Sequence, residues 1–249
     1  MSGHSKWHTI KHKKGAADAK RGKIFTRLIK ELTVAARAGG GDPDMNPRLR
    51  TVIAEAKQHN MPADNIKRAI RRGTGEEEGV NYEEVTYEGY GPGGVAILIE
   101  TLTDNRNRTV GELRHMLSKH GGNLGETNSV AWMFDKKGLV TLAKDKVGEE
   151  ALMAAVLDAG ADDLTADGEN WEVVSGPDAH QAVLDAVKAL GVEPDTAQIL
   201  MLPQNYVKLE GQQARQMLKL MESLEDHDDT KNIWSNFDIE EAEIEASLA

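Results

Sequence analysis

The 249-residue chain contains no cysteine, which excludes disulfides, thiolate metal sites and a cysteine nucleophile. Aromatic residues make up only 4% of it, so its cores must be built from Leu, Ile, Val, Met and Ala. Long hydrophobic runs are missing as well. The longest, such as Ala151–Leu157, falls far short of the roughly 20 apolar residues that span a bilayer. Met1 to Lys14 is basic but leads into no apolar stretch, so it does not read as a secretory signal. A cytoplasmic protein without membrane contact is expected. The chain also has no G-x-x-x-x-G-K-[ST] run, no nucleophile elbow and no H-E-x-x-H. No pair of carboxylates has a spacing that marks an acid and a base. The reading is therefore a protein that is not an enzyme and uses no cofactor and no metal.

Charge is abundant and unevenly placed. The overall net charge is −11. Residues 1–75, however, hold 17 Lys and Arg against 6 Asp and Glu, a net of +11, while residues 76–249 hold 13 against 35, a net of −22. Such asymmetry points to a polyanion-binding end joined to an acidic body. The acidic body repels nucleic acid and confines contact to the basic end.

The apolar pattern divides the chain into an α+β multi-domain protein. Residues 1–20 read as a basic arm that stays flexible unless it docks. Residues 21–79 read as a helical nucleic-acid-binding domain of three helices. The first runs from about Lys20 to Ala38, with Ile24, Phe25, Leu28, Ile29, Leu32 and Ala36 on one face. Asn46-Pro47 caps and opens the second, Pro62 sits in the first turn of the third, and Gly73 closes it. Residues 80–135 together with 204–240 read as an α+β domain, with strands at Glu84–Tyr87, Val95–Leu102, Ser129–Phe134 and Asn232–Phe237, and a helix from about Arg108 to Lys119. Residues 136–203 have the order βαββαβ, a ferredoxin-like unit inserted into that domain. Residues 241–249 read as an acidic tail that frays.

The basic surface carries the strongest chemical signal, because cations in rows can follow a phosphate backbone and release its counterions. The candidates are Lys6, Lys11, His12, Lys13 and Lys14 in the arm, Lys20, Arg21, Lys23, Arg27 and Lys30 on the first helix, and Lys67, Arg68, Arg71 and Arg72 on the third. Trp7 either stacks on an unpaired base or anchors the arm to the protein's own core. Asp104–Thr109 precedes a helix, where Arg106 and Arg108 beside free backbone N–H groups form a candidate phosphate site. Gly89-Tyr90-Gly91-Pro92-Gly93-Gly94 matches a dinucleotide fingerprint by letter but is followed by a strand, so it reads as a tight turn. His4, His8 and His12 share metal-ligand spacing, but the neighbouring lysines repel cations, so these histidines read as part of the basic arm. Glu225–Asp229 with His227 reads as a solvated loop.

Several of these segments resemble the YebC family. They include Gly3–Trp7, Ile10–Lys14, the run Asp18–Thr26, Asn46–Arg50, Asn60–Pro62, Tyr87–Gly94, Asp104–Thr109, Gly121–Leu124 and Ser235–Phe237. His8 falls on a variable position of that pattern. The resemblance implies a helical domain followed by two α+β domains, and a role in gene expression. Family members are labelled transcriptional regulators that bind DNA, the mitochondrial relatives resemble translational activators, and bacterial members are linked to ribosomes. The first expectation is a translation factor contacting ribosomal RNA, and through it the ribosome, by way of the basic domain. The inserted unit, with 5 Lys and Arg against 13 Asp and Glu, would then face away from RNA, toward a protein partner. The alternatives are a DNA-binding transcriptional regulator and, more remotely, an enzyme acting on RNA.

Overall fold

The computed structural model describes Trp7 and residues 17–247, with residues 17–21 described by backbone alone. Three helices come first: α1 (Ala17–Gly39), α2 (Pro47–Gln58) and α3 (Ala63–Thr74). They bury Leu28, Leu32, Leu49, Val52, Ile66 and Ala69 against one another. Asn46 fixes the start of α2 in two ways. Its Oδ1 accepts the Leu49 N–H at 3.0 Å, and its Nδ2 donates to the Ala35 and Gly40 carbonyls of the preceding helix end. Gly73 does not end α3, which runs to Thr74 and is capped by Gly75 in the left-handed region at φ +84°. Gly73 is instead where α3 touches α1. A Cβ there would lie 2.4 Å from the Thr33 carbonyl oxygen and 2.7 Å from the Ala36 Cβ.

Beyond these helices the chain forms two sheets. Strands β1 (Glu83–Tyr90) and β2 (Ala96–Thr103) make an antiparallel hairpin around Pro92–Gly94. Helix α4 (Arg106–Lys119) and the short strand β3 (Asn123–Leu124) follow. Then come β4 (Phe134–Ala143), α5 (Glu149–Asp158), β5 (Ala161–Asp167), β6 (Asn170–Ser175), α6 (His180–Ala189) and β7 (Thr196–Pro203). The chain closes with β8 (Val207–Lys208), α7 (Gly211–Glu225), β9 (Thr230–Ser235), β10 (Phe237–Asp238) and α8 (Glu241–Ser247). The first sheet has the order β3-β1-β2-β9 and the second β5-β6-β4-β7, while β8 and β10 form a parallel pair. The second sheet is antiparallel with α5 and α6 packed on it through Val140, Leu152, Val156, Val173, Val183 and Val187, the ferredoxin-like arrangement.

Strand β2 is buried on both faces. Ile97 and Ile99 point into a core shared with Leu113 and Leu117 of α4 and Met217 and Met221 of α7. Ala96 and Leu98 point the other way, toward Val130, Phe134 and the partly buried Trp234 and Met201. The six-residue glycine pattern sits in the β1–β2 hairpin, where the Gly91 N–H donates to the Val95 carbonyl at 2.7 Å.

Two expectations are corrected here. Residues 129–133 do not form a strand. The Glu88 carboxylate, itself buried, accepts the backbone N–H groups of Asn128, Val130 and Ala131 at 2.6, 2.7 and 2.8 Å, and these inward donors are lost to any ladder. The segment turns through Ala131–Met133 and enters β4, one ten-residue strand from Phe134. The acidic end is also ordered through Ser247, because Ile244 is fully buried in the α7 core and Glu243 accepts the Gly211 N–H at 2.9 Å.

Candidate nucleic-acid interface

Helix α1 carries cations on the side away from its apolar stripe, and the structure turns that side toward the second domain. Lys30 is 7% exposed. Its Nζ donates to Asp229 Oδ1 at 2.7 Å, to the Asp228 carbonyl at 2.9 Å and to the Leu102 carbonyl at 3.3 Å, and it lies over the Tyr82 ring. A buried ammonium is tolerable when its protons are satisfied in this way. Lys23 bonds the Asp226 carboxylate at 2.9 Å. Arg27 pairs with Glu55 of α2 at 2.7 Å. Lys30 is thus corrected from a phosphate contact to an interdomain tie. Arg27 and Lys23 already hold carboxylates, and a phosphate would have to compete for them.

Asp229 is the centre of this tie and is only 3% exposed. Oδ1 takes Lys30, while Oδ2 accepts Arg108 Nη2 at 2.7 Å, Thr109 Oγ1 at 2.8 Å and Thr103 Oγ1 at 3.1 Å. Burial alone would push this carboxyl up, but the hydrogen bonds from Lys30, Arg108 and Thr109 win and hold it well below the usual carboxylate range. Its own N–H donates to His227 Nδ1, which leaves Nε2–H of that ring to donate to Glu112 at 2.8 Å. The segment 225–229 is therefore a packed joint and not a solvated loop. Sequence reasoning missed it because the Lys30 and Asp229 partners are 199 positions apart.

The same joint answers the question of Asp104–Thr109. Asn105 caps α4, its Oδ1 accepting the Arg108 N–H at 3.1 Å. The Arg108 guanidinium is held by Asp104 and Asp229, both at 2.7 Å, and these bonds raise its already high pKa. Arg108 is thereby part of the joint, and a phosphate would have to compete with two carboxylates for it. Arg106, more exposed and 3.8 Å from Glu83, remains accessible.

Trp7 is 1% exposed and lies in the α4–α7 core, with Nε1 donating to Glu225 Oε1 at 2.7 Å. Of its two sequence readings, the structure takes the anchor, and an indole with no free face does not stack on a base. Lys6, Lys11, His12, Lys13 and Lys14 lie outside the described residues, as do the side chains of Lys20 and Arg21.

Helix α3 is different. Ile66 and Ala69 face the core, whereas Lys67, Arg68, Arg71 and Arg72 are all exposed. Arg71 makes an ion pair with Glu77 at 2.7 Å. Lys67, Arg68 and Arg72 have no carboxylate partner among the described residues, and neither does the exposed Lys57 at the end of α2. This is an open cationic face. Next to the helical domain, Arg48 forms a two-pronged pair with Glu84 of β1, another interdomain tie that the sequence did not reveal. A cleft of about 260 Å³ beside it is lined by Glu84, Glu100, Thr101 and Lys231, an acidic lining that repels a polyanion.

In the acidic body most cations are spoken for. Arg106, Arg108, Lys137, Lys146, Lys208 and Lys231 pair with carboxylates. Lys144 donates to the Gly168 carbonyl and sits over Trp171. Among the described residues no group of three or more His, Asp or Glu is arranged to hold a metal, and no helix is long and apolar enough to cross a membrane.

Comparison with known proteins places this arrangement in context. A family model described as the TACO1/YebC protein N-terminal domain matches residues 5–76, and one described as the TACO1/YebC second and third domain matches residues 82–237. A protein of Acidobacterium capsulatum named "Probable transcriptional regulatory protein" is 65% identical over 243 residues, covering 98% of each chain. Relatives with the same designation from Koribacter versatilis and Geobacter sulfurreducens are 64% and 59% identical, each over 98% of this chain. The crystal structure of a conserved hypothetical protein from Aquifex aeolicus, 43% identical, superposes with a TM-score of 0.77 over 90% of this chain and 93% of that one.

Proposed function

Since the chain belongs to the TACO1/YebC family, we propose that it is a nucleic-acid-binding regulatory factor of gene expression. In this reading it is a translation factor that meets ribosomal RNA through its helical domain. The observation that carries this is the exposed, largely unpaired cationic face of α3 in a chain whose residues 76–249 carry a net charge of −22. Lys and Arg in this density suit phosphates, which position a protein on its ligand but do not specify sequence. Asn and Gln, the side chains suited to adenine edges, are represented on α3 by Asn65 alone.

Sedimentation of cell extract tests the proposal. At low salt the protein is expected to co-migrate with ribosomal particles, and to leave them when Lys67, Arg68, Arg71 and Arg72 are reversed to glutamate. Migration free of ribosomes at low salt, with translation active or arrested, would overturn the ribosomal reading. The names of the relatives favour a second reading, a DNA-binding transcriptional regulator. Footprinting separates the two: protection that survives excess competitor DNA would establish sequence-specific DNA binding.

A further inference from the structure

Arg114 and Lys119 on α4, and Arg215 and Lys219 on α7, are all exposed and have no hydrogen-bond or ion-pair partner among the described residues. That is unexpected where carboxylates outnumber cations 35 to 13 and most other cations have found one. The four sit on two helices that pack side by side; Arg114 and Lys119, five positions apart, lie on different flanks of α4, and Lys119 is the one beside α7. His120 at the end of α4 lies 3.3 Å from Ser223 of α7, and its ring lies close enough to both Lys119 and Lys219 that their charges, after burial, lower its pKa. Arg215 and Lys219 are one helical turn apart on α7 and therefore share a face. Glu222 is the nearest opposing charge along that helix, and it pairs with neither of them. The surface also adjoins the helical domain, since Lys23 of α1 binds Asp226 directly after α7.

We propose that the α4–α7 helix pair is a second phosphodiester-binding surface, so that the nucleic acid lies across the second domain as well as the helical one. Unpaired exposed cations gain most from a polyanion, because they give up no existing ion pair to bind it. The proposal takes its ligand class from the reading above. It departs from the expectation that contact is confined to the basic end.

The test is binding of a fluorescent 30-nucleotide single-stranded RNA, and of a 30-base-pair DNA duplex, to the full chain over a range of salt. Three proteins are compared: wild type, R114Q/K119Q/R215Q/K219Q, and K67Q/R68Q/R71Q/R72Q. All substituted positions are exposed, and thermal melting confirms that each variant is folded. For RNA, neutralising the α4–α7 cations is expected to weaken binding at least about tenfold and flatten the log–log salt slope by about 3, near 0.7 per phosphate contact. If only the α3 variant loses affinity, the second surface is overturned and the function reading stands, the α4–α7 cations then facing an acidic partner. If only the α4–α7 variant loses affinity, the second surface stands and the α3 reading falls. If wild type binds neither probe, both fall. Loss confined to one probe identifies RNA or DNA as the source of the phosphates.

Discussion

Helices α1 and α3 look alike as strings of residues, each an apolar stripe backed by Lys and Arg, yet the structure uses their cations in opposite ways. On α1 three described cations meet carboxylates of the same chain, with Lys30 buried against Asp229, Lys23 on Asp226 and Arg27 on Glu55. On α3 three of the four meet no carboxylate among the described residues. A basic helix face thus stays open to a partner only when no acidic element of the same molecule arrives to cover it. Here the covering element is the α7–β9 connection, acidic where the second domain meets α1.

The largest expected effect on this contrast comes from Lys30→Ala, which leaves Asp229 buried with one cation fewer. It should cost about 3 kcal/mol in urea unfolding, the low end for breaking a buried pair because Arg108 still holds the carboxylate. The salt slope of RNA binding should not change. A slope that falls by about one contact would show that Lys30 reaches phosphate, and the contrast would collapse. The same tie has a pH signature. The folded Asp229 carboxyl titrates below its unfolded value of about 3.9, so its stabilisation is complete above that pH and is lost as pH falls toward the folded value. Acid unfolding of Asp229→Asn should therefore show a shallower dependence below about pH 4. If its acid limb overlays the wild type, the tie does not control acid stability.

Reversal of Lys67, Arg68, Arg71 and Arg72 on α3 comes next. It should weaken RNA binding about 100-fold at low salt, equivalent to about 2.7 kcal/mol, while urea unfolding stays within error of wild type. Equal losses of binding and stability would mean that this face is structural after all. The smallest effect belongs to Lys23→Gln. Its ion pair is exposed and should contribute under about 1 kcal/mol, so a larger loss of stability would place Lys23 with Lys30 as part of the joint.

The helical domain was legible because helical periodicity is local. Leu28, Leu32, Leu49, Val52, Ile66 and Ala69 announce their faces by spacing alone, and the order of elements in the inserted unit follows from strand and helix lengths in the same way. What could not be read depends on partners distant in sequence. Glu88 captures the donors of residues 128–131 and abolishes an expected strand, Ile244 finds a core and orders an acidic end, and Asp229 buries Lys30 and engages Arg108. Gly73 reads from sequence as the end of α3, but its missing side chain serves a helix–helix approach and the cap falls to Gly75. Trp7 is open to base or core by sequence, and only its packing in the α4–α7 core, with Glu225 accepting its indole N–H, decides it.

The root of the inserted unit has a mechanical meaning. Phe134, which opens β4, lies opposite Pro203, which closes β7, so the chain leaves the second domain and returns to it along two adjacent hydrogen-bonded strands. Two strands joined by a ladder, with Phe134 packed against Ala96, Leu98 and Val130 of the second domain, leave the inserted unit less free to rotate than a single connection would. Pro203 costs this ladder nothing, because its pairing with Phe134 is bracketed by the Gln204 N–H, which donates to the Met133 carbonyl at 2.9 Å and keeps the two strands hydrogen-bonded down to the root.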